Sequence, residues 1–294
     1  MSVVEGREGA GTAESLGIVD LLDDWSLEIT AKDADALTSV AQHLPDGMQI
    51  SITFLPNEEY TGRIAAAALV RDLGFVPMPH ISARRLRSEG ELKAFLEQLR
   101  DEAGVDRAFV VAGDLPAPSG PYDDALAIIE SGLLAQYGIQ HVGIAGYPEG
   151  HPAISSDRLW NALEQKTVRL HALGHACSIV TQFGFDPEPA LAWLQGLRAR
   201  NIEAPVRIGI AGPTSVKTLL RFAARCGVVS SAKVLAKYGI SLTRLFGSTG
   251  PDIFCRDLAS GLDPATHGAV SLHLYPFGGL QASVDWAAGI KSGE

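Results

Sequence analysis

Three polar residues interrupt or end apolar runs of this sequence, at positions suited to proton transfer or ligand binding. Glu28 lies inside the run SLEIT, Asp114 follows VVAG, and Gln182 follows SIVT. A carboxyl group removed from water has a raised pKa and can serve as a general acid near neutral pH. The structural alternative for Glu28 is an acid paired with a neighbouring base.

Asp114 raises a separate question, because it ends the strand-like run in VVAGDLPAPSGP. An acid there either caps the next helix or faces a ligand. The two prolines of the following loop disfavour a direct cap. Two other residues have structural alternatives as well, because His80 in PHIS could be a hydrogen-bonded core histidine and Gln182 an interior amide.

The sequence lacks the motifs typical of metal-dependent hydrolysis, covalent catalysis and nucleotide-phosphate binding. The chain contains no HExxH motif or other metal-ligand spacing, no nucleophile elbow and no P-loop. The three cysteines, Cys177, Cys226 and Cys255, are widely spaced, so we interpret them as buried thiols in a reducing cytoplasm. No metal site is expected. A few carboxylates, an amide and aromatic residues suit a bound organic cofactor combined with proton transfer.

The amino-acid composition and charge argue against several classes of binding partner. The 294 residues carry a formal net charge of −10, which argues against a nucleic-acid or membrane surface as the main partner. No apolar run reaches the roughly 18 residues that a membrane helix needs. The Gly-rich, charged start MSVVEGREGAGTAES lacks the apolar core of a signal peptide. We therefore expect a mobile tail over residues 1–20 and a cytoplasmic protein.

Short β-rich runs alternate with helical patterns along the rest of the chain. Most helical patterns start with an acid, Ser or Pro and stop at Gly. The segment PYDDALAIIESGLLAQYG is predicted to form one helix. Two helices, SSAKVLAKYG and PDIFCRDLASGL, are expected before the last strand. The eight expected strands are Trp25–Ala31, Gln49–Leu55, Phe75–Ala83, Arg107–Asp114, His141–Pro148, Ser178–Phe185, Val206–Pro213 and Ala269–Gly278.

This alternation predicts a (β/α)8 TIM barrel, a single catalytic domain over residues 21–294. An open doubly wound sheet is the second choice, since no G-x-G-x-x-G follows the first strand. In a barrel the active site lies at the C-terminal ends of the strands. Glu28, Asp114 and Gln182 are therefore expected to converge at one mouth, where His273 and Tyr275 of the last strand also belong.

Six motifs at these strand ends occur in an order and spacing that resemble methylenetetrahydrofolate reductase. They are SLEIT, SITF, PHIS, GDLP, YPEGHP and TQFGFD, within about Ser26 to Asp186, with weaker agreement at LHLY. The resemblance implies a barrel that carries FAD. It also implies interconversion of 5,10-methylenetetrahydrofolate and 5-methyltetrahydrofolate, with NADH or NADPH as the hydride source.

The resemblance also implies a role for each matching residue. Glu28 and Asp114 match catalytic acids, and Gln182 and Tyr275 match folate-contacting positions. The matching flavin-contacting positions are Thr53, His80, Gly113, Asp114, Tyr147 and His151, and Lys166 and Arg169 are expected to meet the flavin diphosphate.

The sequence departs from the family pattern at two basic positions, which here are Ala112 and Gly279. Two alternatives therefore stay open: direct hydride transfer on the same barrel without flavin, and a folate-binding barrel without turnover. The direction of the reaction also stays open, as does the oligomeric state, with a homo-oligomer among the options.

Overall fold

The structure is a computed structural model that describes residues 16–54, 58–226 and 248–293. The strands are β1 Ser26–Ile29, β2 Gln49–Ile52, β3 Val76–Ser82, β4 Arg107–Val111, β5 His141–Gly146, β6 Ala176–Thr181, β7 Val206–Ala211, β8 Thr214–Ser215, β9 Ser248–Thr249 and β10 Val270–Tyr275. Eight of them run parallel and close into a barrel in the order β1-β10-β7-β6-β5-β4-β3-β2, and the other two, β8 and β9, pair antiparallel. The predicted barrel is confirmed.

Helices connect successive barrel strands. In the described ranges they are α1 Ile18–Leu21, α2 Ala34–Val40, α3 Tyr60–Asp72, α4 Glu89–Ala103, α5 Ala125–Glu130, α6 Leu133–Gln136, α7 Ser156–Ala172, α8 Pro187–Arg198, α9 Val216–Cys226, α10 Asp252–Gly261, α11 Pro264–His267 and α12 Leu280–Ser292. Within those ranges, none combines the length and the apolar character that a membrane crossing requires.

Several local details differ from the sequence predictions. The prediction of a single helix in PYDDALAIIESGLLAQYG is wrong. Gly132 adopts a left-handed conformation with φ of 72° and separates α5 from α6. Of the predicted tail, residues 1–15 lie outside the described residues, whereas α1 begins at Ile18. The expected helix SSAKVLAKYG also lies outside them. Cys255 is buried, but Cys177 and Cys226 are partly exposed.

The barrel interior below the mouth is filled by a small apolar cluster. Met78, Phe109 and Val180, from β3, β4 and β6, pack together apart from the main core between strands and helices. A Cβ atom at Gly143 would lie 2.6 Å from the Phe109 ring, so this strand position must be glycine. Phe109 and Val180 also line a cavity at the strand ends, so the cluster lies directly beneath that cavity.

Gly209 on β7 is expected to be intolerant of a side chain. Its amide donates to the Thr181 hydroxyl at 2.8 Å, and a Cβ there would lie 2.8 Å from the Tyr275 ring and 2.9 Å from the Phe183 amide nitrogen. We expect Gly209→Val to lower the free energy of unfolding by about 3 kcal/mol or more, since overpacking displaces backbone here.

Denaturant unfolding measures this effect, with Gly289→Ala as the control, since no atom lies within 4 Å of a Cβ at Gly289. Equal stability of the Gly209 variant and the wild type would contradict the close packing of β6, β7 and β10.

Candidate functional site

The C-terminal mouth of the barrel holds a cavity of about 640 Å³. Its polar lining comes from the ends of six strands and from the turn after β1. These residues are Glu28, Thr30, Lys32, Asp33, Thr53, His80, Tyr147, Gln182 and Tyr275. The structure thus brings six of the sequence-predicted site residues to one cavity, because parallel strands that close into a barrel end at the same rim.

Glu28 lies at the base of this cavity with two histidines. Its Oε2 atom lies 3.5 Å from Nε2 of His80 and 3.9 Å from Nε2 of His273, and its side chain is 17% exposed. Burial raises the pKa of the Glu28 carboxyl, although His80 and a hydrogen bond with the Thr53 hydroxyl oppose the rise. The environment therefore favours the protonated carboxylic acid.

The two histidines are held neutral. Burial lowers the pKa of His80 to about 4, even though the nearby Glu28 opposes this, and burial lowers the pKa of His273 to about 3. His273 shares a hydrogen bond of 2.7 Å between its Nδ1 and the Ser26 hydroxyl. At neutral pH the cluster thus contains two neutral imidazoles beside a carboxyl group that can hold a proton.

Aromatic side chains form one wall of the cavity. The Tyr275 hydroxyl donates to the Thr181 carbonyl at 3.0 Å, which orients its ring. Phe277 stacks on Phe222 with ring centroids 4.1 Å apart and 9° between the planes. Beside this wall, the Gln182 Oε1 atom accepts from the Phe183 amide at 3.1 Å. A flat heterocycle with polar edges suits such a surface.

A second cavity, of about 260 Å³, adjoins the first. Tyr147 and Gln182 line both cavities, whereas His151 lines only the smaller one. The rings of Tyr147 and His151 meet edge to face with centroids 5.4 Å apart. Glu149 also lines this space, where its Oε1 atom accepts from the Phe185 amide at 2.8 Å.

Asp114 was expected to end its strand, but β4 stops at Val111, and Asp114 lies three residues beyond it, outside the lining of both cavities. Its carboxylate accepts two hydrogen bonds of 2.9 Å from the Arg85 guanidinium, and its side chain is 64% exposed. Arg85 in turn lies over the Phe54 ring, 4.3 Å from its centroid, and Phe54 lines the larger cavity. Gly113 takes a φ of 96°, which favours glycine.

Lys166 and Arg169 are not brought to the mouth cavities. Both lie in the later turns of α7, and neither is part of the lining of the two mouth cavities. The Arg169 Nε lies 3.9 Å from a Glu130 carboxylate oxygen on α5. Burial lowers the pKa of Lys166, opposed by Cys177 and Asp124. Their role as cofactor ligands stays a prediction.

Sequence reasoning missed one contact and one residue that the structure places at the Glu28 cluster. His273 was expected at the mouth because it belongs to the last strand, but its contact with Glu28 could not be read from the sequence. Arg63 lies in the apolar helix pattern YTGRIAAAALV, where a single arginine on the buried face was the available signal.

The comparisons with known proteins agree with this arrangement. The methylenetetrahydrofolate reductase family profile matches residues 30–240. A 5,10-methylenetetrahydrofolate reductase of Pectobacterium carotovorum subsp. carotovorum is 28% identical over 161 residues, which cover 53% of this chain and 50% of that protein. Methylenetetrahydrofolate reductase (NADH) 1 of Arabidopsis thaliana is 25% identical over 216 residues, covering 67% of this chain and 35% of that one. The aligned region thus spans half or less of these curated relatives.

A solved structure shares the fold. It is an uncharacterized protein from Clostridium thermocellum described as binding two copies of 5-methyl-5,6,7,8-tetrahydrofolic acid. The two structures align with a TM-score of 0.60 at 14% sequence identity, over 94% of this chain and 98% of the other. Because the family profile covers well over half of the sequence, this chain belongs to the methylenetetrahydrofolate reductase family.

Proposed function

We propose that the protein reduces 5,10-methylenetetrahydrofolate to 5-methyltetrahydrofolate with NADH or NADPH as the hydride source. The observation that carries the proposal is a buried carboxyl group with a raised pKa, Glu28, at the base of a mouth cavity in a barrel of this family. The folate ligand of the Clostridium thermocellum neighbour supports a folate in the same kind of fold.

The proposed reaction needs one proton and one hydride. The methylene bridge opens when the C–N10 bond breaks, its electron pair goes to N10, and N10 takes a proton. Glu28 supplies that proton as a general acid. The cationic iminium carbon on N5 then accepts the hydride and becomes the methyl group. Neutral His80 and His273 leave the donated proton on Glu28 until the bridge opens.

Gln182 and Tyr275 are proposed to bind the pterin. An amide presents both a donor and an acceptor, which matches the edge of an amino-pyrimidine ring. The aromatic wall beside them, Phe222 and Phe277, offers a flat apolar face. Asp114 was predicted to meet the pterin and flavin. In this proposal it stays a candidate at the rim, oriented by Arg85.

The described residues do not fit a tightly bound FAD. Thr53, His80 and Tyr147 line the larger cavity, so a ring system has a surface there. Lys32 is the single lysine or arginine among the described residues lining that cavity, and the smaller cavity has none in its described lining. A tightly bound FAD would need its diphosphate held by charged side chains or by clustered backbone amides. Of the charged side chains that could do this, the described lining offers one lysine. The proposed reaction therefore does not involve FAD.

Direct hydride transfer from the nicotinamide to the iminium is thus the better supported route. A coenzyme that binds and leaves in each turnover can keep its diphosphate in water, so it tolerates a rim with few cations. The cavity volume of about 640 Å³ lies within the range of small-ligand sites.

The expected result is that protein purified without added flavin shows no flavin absorption at about 450 nm and oxidises NADH or NADPH when methylenetetrahydrofolate is supplied. Added FAD should leave the rate unchanged. A requirement for FAD would restore the flavin route that the family resemblance implies. Folate binding without coenzyme oxidation would instead identify a binding protein.

A further inference from the structure

Arg63 of α3 is a buried cation beside the Glu28 cluster, without an assigned role in the proposed reaction. Its side chain is 1% exposed. It lies among three aromatic rings, with its guanidinium carbon 4.8 Å from the centroid of Phe54, 5.0 Å from that of Tyr60 and 4.8 Å from that of Phe95. Burying a guanidinium is costly, so a stabilising or functional compensation is expected.

The guanidinium contacts the backbone of the histidine that faces Glu28. Arg63 Nη1 donates to the His80 carbonyl at 2.6 Å. The last paired residues of β2 and β3 are Ile52 and Pro79, so pairing on this side of β3 stops one residue before His80. Arg63 thus holds the backbone of His80 where the neighbouring strand no longer does.

The His80 ring is fixed on its other sides as well. It packs on Phe109 with ring centroids 4.7 Å apart, and its Nε2 lies 3.5 Å from Glu28 Oε2. The His80 ring interacts electrostatically with three charged or titratable groups, which are Glu28, His273 and Arg63. Glu28 in turn interacts electrostatically with His80 and Tyr275. His273 Nε2 also lies 3.9 Å from Glu28 Oε2. Arg63 is the fixed cation of this set.

A single proton on the Glu28–His80 pair has two possible positions. If it lies on Glu28, the pair is an acid beside a neutral imidazole, which can donate to N10. If it lies on His80, the pair is a carboxylate beside an imidazolium, and Glu28 has no proton to give. A cation next to His80 disfavours the second arrangement. Arg63 lowers the pKa of His80 in addition to burial, consistent with this geometry.

We propose that Arg63 is a positioning residue of the proposed reaction, which holds the His80 backbone and keeps the proton of the Glu28–His80 pair on Glu28. This inference rests on the proposed function for its catalytic consequence. The effect of Arg63 on the protonation of His80 does not depend on turnover. This effect and the proposed function can therefore be tested separately.

The test is NMR titration of the His80 ring in protein with ¹⁵N-labelled histidine, with the signal assigned from a His80→Gln variant. In the wild type the ring is expected to stay neutral from pH 8 down to about pH 5, so the titration must extend below pH 5 to register a rise in the pKa. In Arg63→Met, whose unbranched apolar side chain suits the aromatic pocket, the pKa of His80 should rise by about one unit. The rate of folate reduction should fall about tenfold.

Arg198→Met is the matched control. Arg198 also donates from a partly buried guanidinium to backbone carbonyls, at 2.9 Å to His267 and 3.2 Å to Ala204, away from the mouth. It should lose stability without changing the His80 titration. Arg63→Lys keeps the charge, so His80 should stay neutral and the rate should exceed that of Arg63→Met.

An imidazolium signal from wild-type His80 at neutral pH would overturn the proposal without any variant, even if Arg63→Met failed to fold. So would an unchanged His80 titration in folded Arg63→Met, or an equal change in Arg198→Met. A protein without folate reduction whose His80 titration responds as expected would refute the proposed function and retain the role of Arg63 in His80 protonation.

Discussion

Replacing Glu28 with glutamine is expected to slow folate reduction at least about 100-fold, the lower end for the loss of a general acid. The amide is nearly the same size as the acid, so the barrel and the binding of coenzyme should survive. It has no proton to deliver to N10 when the methylene bridge opens. Steady-state rates at saturating coenzyme and methylenetetrahydrofolate measure the effect, and thermal unfolding confirms that the variant is folded.

Glu164→Gln is the control for this substitution. Glu164 lies on α7, away from the mouth, and its Oε1 atom lies 2.9 Å from Nε of Arg200. Replacing the Glu164 carboxylate should therefore leave the rate near that of the wild type. In the wild type the rate should fall as pH rises through the raised pKa of Glu28, and this decline should be absent in Glu28→Gln. Unaltered folate reduction in the variant would place the acid elsewhere, with Asp114 the next candidate.

The free energy of unfolding is expected to fall by several kcal/mol as the pH drops from about 6.5 towards 4. The pKa of His80 is lowered to about 4 and that of His273 to about 3, whereas the unfolded chain titrates near 6.5. Over this range the unfolded state binds more protons, so acid favours it. Each histidine contributes on the order of 3 kcal/mol.

Glu28 acts in the opposite direction over part of this range. Its pKa is raised in the folded state, so the folded state binds the extra proton and gains stability as the pH falls from that raised pKa to the unfolded value. The two buried histidines outweigh one carboxyl group, so the net trend remains a loss of stability in acid.

Denaturant unfolding at pH 7, 6 and 5 would measure the trend. His273→Gln should flatten it, because the variant removes a group that must be kept neutral in the fold. The exposed His43 is in water in both states, so His43→Gln should leave the trend unchanged. A free energy of unfolding independent of pH over this range would contradict the burial of these histidines.

Local sequence patterns were sufficient to predict the barrel and to assign six residues to the candidate cavity at its mouth. Strand-length apolar runs alternating with capped helices specify the (β/α)8 order, because each apolar face must be covered by the next element. A barrel brings all strand ends to one rim, so Glu28, Thr53, His80, Tyr147, Gln182 and Tyr275 could be assigned to one cavity before any distance was known. The boundaries of strands were less well predicted, as β6 shows, since it starts and ends earlier than expected.

Contacts between distant parts of the chain were decided only by the tertiary structure. His273 meets Glu28 because barrel closure pairs β10 with β1, and Arg63 reaches the His80 carbonyl because α3 packs against β2 and β3. Asp114 is held by Arg85, and Arg169 approaches Glu130 and lies away from the mouth. The physical reason is that periodicity determines which face a residue occupies, whereas the partner on that face depends on how separate elements pack.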